Sequence, residues 1–180
     1  MAFGVALLSA CGSAIPEPVA PIAITGDTIL GAFDLAQTAH PAALPYALDM
    51  YAAGEKCRIA VWMLEGEEVH GVHLDVERGT VGYDETTPIA EGARAGVPAL
   101  VTAIGSRASP LRVGAAWMLA AYDHGELRTV ELEMHGPALV LEAVLGDAPE
   151  ESIQVHDPDD GRFLMTEAGE PPPAVDPAGT

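Results

Sequence analysis

Six histidines, two cysteines and a cluster of aspartates are the residues of this chain whose types and spacing bear on chemistry. His70 and His73 invite a metal reading, but they lie in a stretch that alternates as a strand. Residues three apart on a strand face opposite ways, so both rings cannot close on one ion, and they read as ordinary strand residues. His40, His124 and His135 stand at expected helix ends or turns, where His40 and His124 suit the negative end of a helix dipole. Cys57 opens an apolar-faced strand and reads as a small buried hydrophobe, with no base placed to make it a nucleophile. Asp157, Asp159 and Asp160 bring hard oxygen donors together, yet their spacing is not that of an EF-hand loop and Pro158 interrupts it. Glu131 and Glu133 share a strand face as a solvated stripe rather than an acid–base pair. Trp62 and Trp117 read as core, with an exposed recognition face as the alternative for Trp62. There is no Gly-x-Ser-x-Gly elbow, phosphate-cradling glycine loop or His-Glu-x-x-His helix. The sequence thus offers no catalytic residue, no metal ligand and no cofactor site, and the expectation is a protein that is not an enzyme.

The elements that must position these residues come in two similar sets. Thr25 or Asp27 can cap a helix starting near Thr28, with Ile29, Phe33 and Ala36 on one face. His40-Pro41 ends it, because a residue before proline avoids the helical region. Leu44, Leu48 and Tyr51 predict a second helix over 43–53, stopped by Gly54. Two strands follow, around Cys57 to Leu64 and Val72 to Val76, and Arg78-Gly79 turns the chain into a short return strand over 80–83. A polar joint over 86–96 leads to a short helix at 98–104. Ser109 then caps a stronger helix, with Pro110 at its first position and Leu111, Ala115, Met118 and Tyr122 on one stripe. Strands at 129–134, 138–145 and 153–155 come next.

Each set closes on a valine-led Asp-x-x-x-Gly corner, Asp75 with Gly79 and Asp157 with Gly161. The aspartate can accept backbone N–H bonds there and the glycine supplies a positive φ, so all four read as structural turn residues. The expected fold class is α+β: two repeats, each a helix pair packed on an antiparallel β-sheet, with one sheet face left wet. The expected boundaries are a leader and tether over 1–21, a divergent first repeat over 22–88, a second repeat over 89–168 and a disordered tail over 169–180.

Acidic residues outnumber basic ones 27 to 8, giving a formal charge of −19. A field of that sign repels nucleic-acid phosphates, which excludes direct nucleic-acid binding. Leu8-Ser9-Ala10-Cys11 follows the apolar residues 3–8, and 12–21 form a small, proline-rich tether. This resembles a bacterial lipoprotein leader, in which the cysteine is acylated. The resemblance implies lipidation at Cys11 and a lipid anchor on the periplasmic or extracellular side of the cell envelope. No basic residue precedes the apolar run, so either the start lies upstream of Met1 or the segment is an apolar terminus only.

Residues 109–165 resemble a PepSY domain. The features that carry this are the helix ending in Gly125, the strand Thr129 to Glu133, the arm Ala138 to Leu145, and Ile153-Gln-Val-His-Asp157 leading to Gly161. His156 separates Val155 from Asp157, and Asp160 stands where the family usually has threonine. Residues 25–83 resemble the family more loosely, keeping Asp75 and Gly79. The resemblance implies a non-catalytic, exported interaction or regulatory lipoprotein whose partner is another envelope protein, with a peptidase as the implied target. The alternative from the residues themselves is a ligand- or cation-binding sensor using the acidic 147–160 region.

Overall fold

Ile29, Phe33 and Ala36 fall on one side of helix α1 (Gly26–Ala39) and are buried together, and the helix stops two residues before Pro41. The computed structural model describes residues 26–53, 56–75, 78–122, 127–146 and 152–166. After α1 come strands β1 (Leu44–Ala53), β2 (Lys56–Glu65), β3 (Glu68–Asp75) and β4 (Thr80–Pro88). Helices α2 (Val97–Gly105) and α3 (Pro110–Ala121) follow, then β5 (Leu127–His135), β6 (Ala138–Leu145), β7 (Ser152–His156) and β8 (Phe163–Thr166). All eight strands form one antiparallel sheet in the order β4-β3-β2-β1-β5-β6-β7-β8.

This corrects the expected fold class. The chain does not build two repeats, each a helix pair packed on an antiparallel sheet; the described residues build a single sheet with three helices on one face. The error lies in residues 43–53. Leu44, Leu48 and Tyr51 fit a helical stripe, but Leu48 and Met50 also alternate with Ala47, Asp49 and Tyr51 at strand spacing. Pairing on both sides decides between them. β1 bonds to β2 along its length and to β5 through Ala47↔Glu131, Leu48↔Val130 and Asp49↔Thr129. Pro45 is tolerated because a bulge lies between Pro45 and Ala47 and the β5 pairing begins beyond it. Residues 22–88 supply α1 and β1–β4, residues 89–168 supply the rest, and the β1·β5 seam joins them.

The core lies between the helices and one sheet face. Ile29, Phe33, Leu111 and Met118 from the helices meet Leu48, Val61, Val72, Val130, Leu132 and Leu141 from the strands. Ser109 precedes α3 with φ 53° and makes no side-chain cap; its carbonyl instead accepts from Val113 N–H at 3.1 Å. Among the described residues, no helix is long and apolar enough to cross a membrane.

Candidate functional site

Strand alternation that sends Leu48, Val61, Val72 and Val130 into the core sends their neighbours to the opposite, uncovered face, over which none of the described helices lies. In the first half, register places Trp62 opposite Gly71 and Gly71 opposite Glu85, while His73 lies between Ala60 and Tyr83. In the second, Glu131 lies between Ala47 and Glu142. Trp62 lies across Gly71, where a Cβ would sit 2.6 Å from the indole Cζ3, so only glycine lets the ring lie flat. The indole Nε1–H donates to Asp49 Oδ2 at 2.7 Å, and Thr129 Oγ1 donates to Asp49 Oδ1 at 2.9 Å.

His73 is the centre of a second chain. Its Nε2 lies 3.0 Å from Glu85 Oε1 and its Nδ1 lies 2.8 Å from the Tyr51 hydroxyl. With Nε2–H donating to the carboxylate, Nδ1 accepts from the phenol. Trp62, Tyr51 and Tyr83 surround the imidazole, with ring centroids 5.6, 6.1 and 5.5 Å away. Beside them Arg58 Nη1 holds Asp75 Oδ2 at 3.0 Å. Tyr51, Arg58, His73, Asp75, Tyr83 and Glu85 line a shallow depression of about 420 Å³.

The second half of the same face is electrostatically different. Burial, and then the charges of Glu133, Asp49 and Glu142, push the half-buried Glu131 carboxyl up to about 7. Burial, with Glu131 and Asp49 adding to it, pushes the Tyr46 phenol up to about 12. Among the described residues no hydrogen-bond donor reaches the Glu131 carboxylate. His135 Nε2 lies 2.7 Å from Glu142 Oε1 and 3.9 Å from Glu133 Oε2.

The Tyr51–His73–Glu85 chain has the order of a nucleophile relay, but its chemistry runs the other way. Burial, followed by the Asp49 and Glu85 charges, raises the Tyr51 hydroxyl above its ordinary value against the lowering effect of Arg58. A phenol that holds its proton this firmly is a poor nucleophile. The arrangement suits recognition: flat aromatic surface and carboxylates side by side favour guanidinium and ammonium groups.

The residues singled out in the sequence are distributed more widely. Gly79 has φ 61° and its N–H donates to Asp75 O at 2.9 Å; Gly161 has φ 71° and donates to Asp157 O at 2.8 Å. The Asp75 carboxylate turns to Arg58, whereas Asp157 Oδ1 accepts from Asp159 N–H at 3.0 Å within its own corner. Asp160 Oδ1 accepts from Arg162 N–H at 2.9 Å, and Asp159 pairs with Arg107 at 3.0 Å. These contacts direct the three aspartates to separate donors rather than to a shared ion. Trp117 departs from its core reading: it is 50% exposed and packs over Gly161. Trp62 is half-buried on the uncovered face. His70 enters the helix side and His73 the uncovered side. Cys11, His124 and the side chain of Cys57 lie outside the described residues. Asp49, Tyr51, His73 and Glu85 went unrecognised as a group, since only register brings them together.

No protein-family model matches the sequence, that of PepSY included, and no curated protein matches it. Among solved structures, a candidate lipoprotein from Clostridium difficile 630 is similar, with a TM-score of 0.51 and 13% identity over 76% of this chain and 89% of that one. The likeness establishes a shared fold.

Proposed function

We propose that this chain is an exported, lipid-anchored, non-catalytic interaction protein that uses the uncovered sheet face to hold a basic segment of another envelope protein. The observation that carries this reading is the pairing of an aromatic platform, Trp62, Tyr51 and Tyr83 around His73, with the carboxylates of Asp49, Glu131, Glu133 and Glu142 on one surface. A cationic side chain placed there gains ring contact and offsets the burial and, after it, the carboxylate repulsion that together hold the Glu131 carboxyl up at about 7. The formal charge of −19 draws such a partner in from a distance.

The anchor rests on the lipobox-like run ending at Cys11, and the fold shared with a candidate lipoprotein agrees with it. Regulation of an envelope peptidase follows from the PepSY resemblance of residues 109–165. The non-catalytic reading is supported by a Tyr51 phenol that keeps its proton beside His73.

The test is site-specific photo-crosslinking in intact cells. A photoreactive residue at Tyr83 on the uncovered face should capture one defined partner, while one at Thr38 on the outer side of α1 should not. Capture should weaken with salt and with Glu131→Lys in the Tyr83 background. Equal capture from both positions, or capture indifferent to both salt and Glu131→Lys, would show that the uncovered face does not hold the partner.

A further inference from the structure

Where α1 ends, a cluster lies on the helix side of the sheet, away from the face just described. The His40 backbone N–H closes the last helical turn onto Ala36 O at 2.9 Å, and Gln37 Nε2 donates to the carbonyls of His40, Pro41 and Ala43, each at 3.1 Å. This fixes the corner from which the His40 ring projects. That ring stacks on His70 of β3, with centroids 4.0 Å apart and planes 22° from parallel. Glu65, at the end of β2, reaches the same place: its Oε2 is 3.5 Å from His70 Nε2. The ligand atoms of His40, His70 and Glu65 all lie within 4.8 Å of one another.

His70 supplies the decisive detail. It is 6% exposed, and its Nδ1 lies 2.9 Å from Thr86 Oγ1. Its Nε2 is buried and makes no hydrogen bond. With Nδ1–H donating to Thr86, the Nε2 lone pair meets no donor among the described residues, while a carboxylate oxygen of Glu65 and a ring nitrogen of His40 lie within 4.8 Å. A buried, unmatched acceptor of this kind costs about 1–3 kcal/mol unless something positive meets it. The separation of 3.5 Å from Glu65 Oε2 is long for a hydrogen bond. It is close to the ~3.3 Å edge between two ligands that each bind a tetrahedral ion at about 2.0–2.1 Å.

We propose that His40 Nε2, His70 Nε2 and the Glu65 carboxylate bind one Zn²⁺ ion, leaving a fourth position to water. Two imidazoles and one carboxylate form a nitrogen-rich set that suits zinc and not calcium or magnesium. Thr86 acts as the outer partner that fixes the His70 tautomer. His40 Nε2 now shares a proton with Asp84, at 2.9 Å from Oδ2, so on binding zinc the His40 ring turns out of its stack on His70, its remaining proton resides on Nδ1 and the exposed Asp84 carboxylate is released. The negative end of α1 adds favourable potential for a cation. Bound there, the ion ties the end of α1 to the β2–β3 hairpin. The inference is independent of the partner proposed for the other face.

Calorimetric titration of the untagged full chain with zinc chloride, alongside melting with and without zinc, tests the proposal. One ion per chain should bind and raise the melting temperature. His40→Ala and Glu65→Gln, at positions that do not fill the core, should each weaken binding more than about tenfold. His135→Ala, at the Glu133–His135–Glu142 group on the other face, should leave binding unchanged. Cobalt substitution should give a spectrum without a thiolate charge-transfer band. The proposal fails if zinc does not saturate a single site, if folded His40→Ala and Glu65→Gln bind as tightly as the parent, or if the cobalt spectrum reports cysteine ligation.

Discussion

The two halves of the uncovered face share one sheet but differ in how their carboxylates are met. In the first half each acidic group has a donor fixed by register: Asp49 takes Trp62 and Thr129, Asp75 takes Arg58, and Glu85 takes His73. In the second, Glu131 lies among other carboxylates with no donor at hydrogen-bond distance among the described residues. The first half therefore reads as finished structure, whereas in the second Glu142 is met by His135 at 2.7 Å and it is the charge of Glu131 that is left over for something else. Membership of one sheet does not imply one purpose; the donors separate the two halves.

Removing a donor from the matched half should give the largest effect. Arg58→Ala leaves the Asp75 carboxylate, with its side chain only 9% exposed, without its closest guanidinium. Because Arg58 is itself partly solvated, the expected loss is about 2 kcal/mol rather than the full cost of a deeply buried pair. Urea unfolding measures it, and a loss below about 0.5 kcal/mol would dissolve the distinction between the halves.

Relieving the unmatched half should act in the opposite direction. Glu131 is raised from 4.5 in the unfolded chain to about 7 in the fold, so the fold binds more protons between those values. Stability then falls as pH rises through that window, and the penalty is fully present above about pH 7. Glu131→Gln should stabilise the protein by about 1–2 kcal/mol at pH 8, after allowance for solvent screening, and by almost nothing near pH 4.5. Denaturation at both pH values sharpens the comparison; a gain independent of pH would mean that charge is not its source.

The smallest effect is expected at the other acidic corner. Arg162 is 66% exposed and reaches Asp157 at 3.4 Å, so Arg162→Ala should cost less than about 0.5 kcal/mol by the same urea measurement. A cost matching that of Arg58→Ala would show that the two aspartate corners are equivalent after all.

Local patterns were legible in the sequence, and long-range ones were not. Ile29, Phe33 and Ala36 mark α1, and the alternation of Val130, Leu132 and Met134 marks β5, because each pattern is complete within one element. Leu44 to Ala53 carries both periods, and the choice was made by β5, some 80 residues further on. The same limit hid the sites. Alternation alone separates His70 from His73, but nothing local pairs His70 with His40 or Asp49 with Trp62. Those contacts depend on which strands become neighbours.

The narrow β1·β5 seam has a consequence for how the molecule forms. Within each half, neighbouring strands follow one another along the chain and can zip together as successive hairpins. The seam alone, with Ala47, Leu48 and Asp49 meeting Glu131, Val130 and Thr129, requires ends separated by two helices and three strands to find each other. Closing that loop carries the largest entropic cost of any strand pairing in the sheet, so it sets the contact order and the pace of folding.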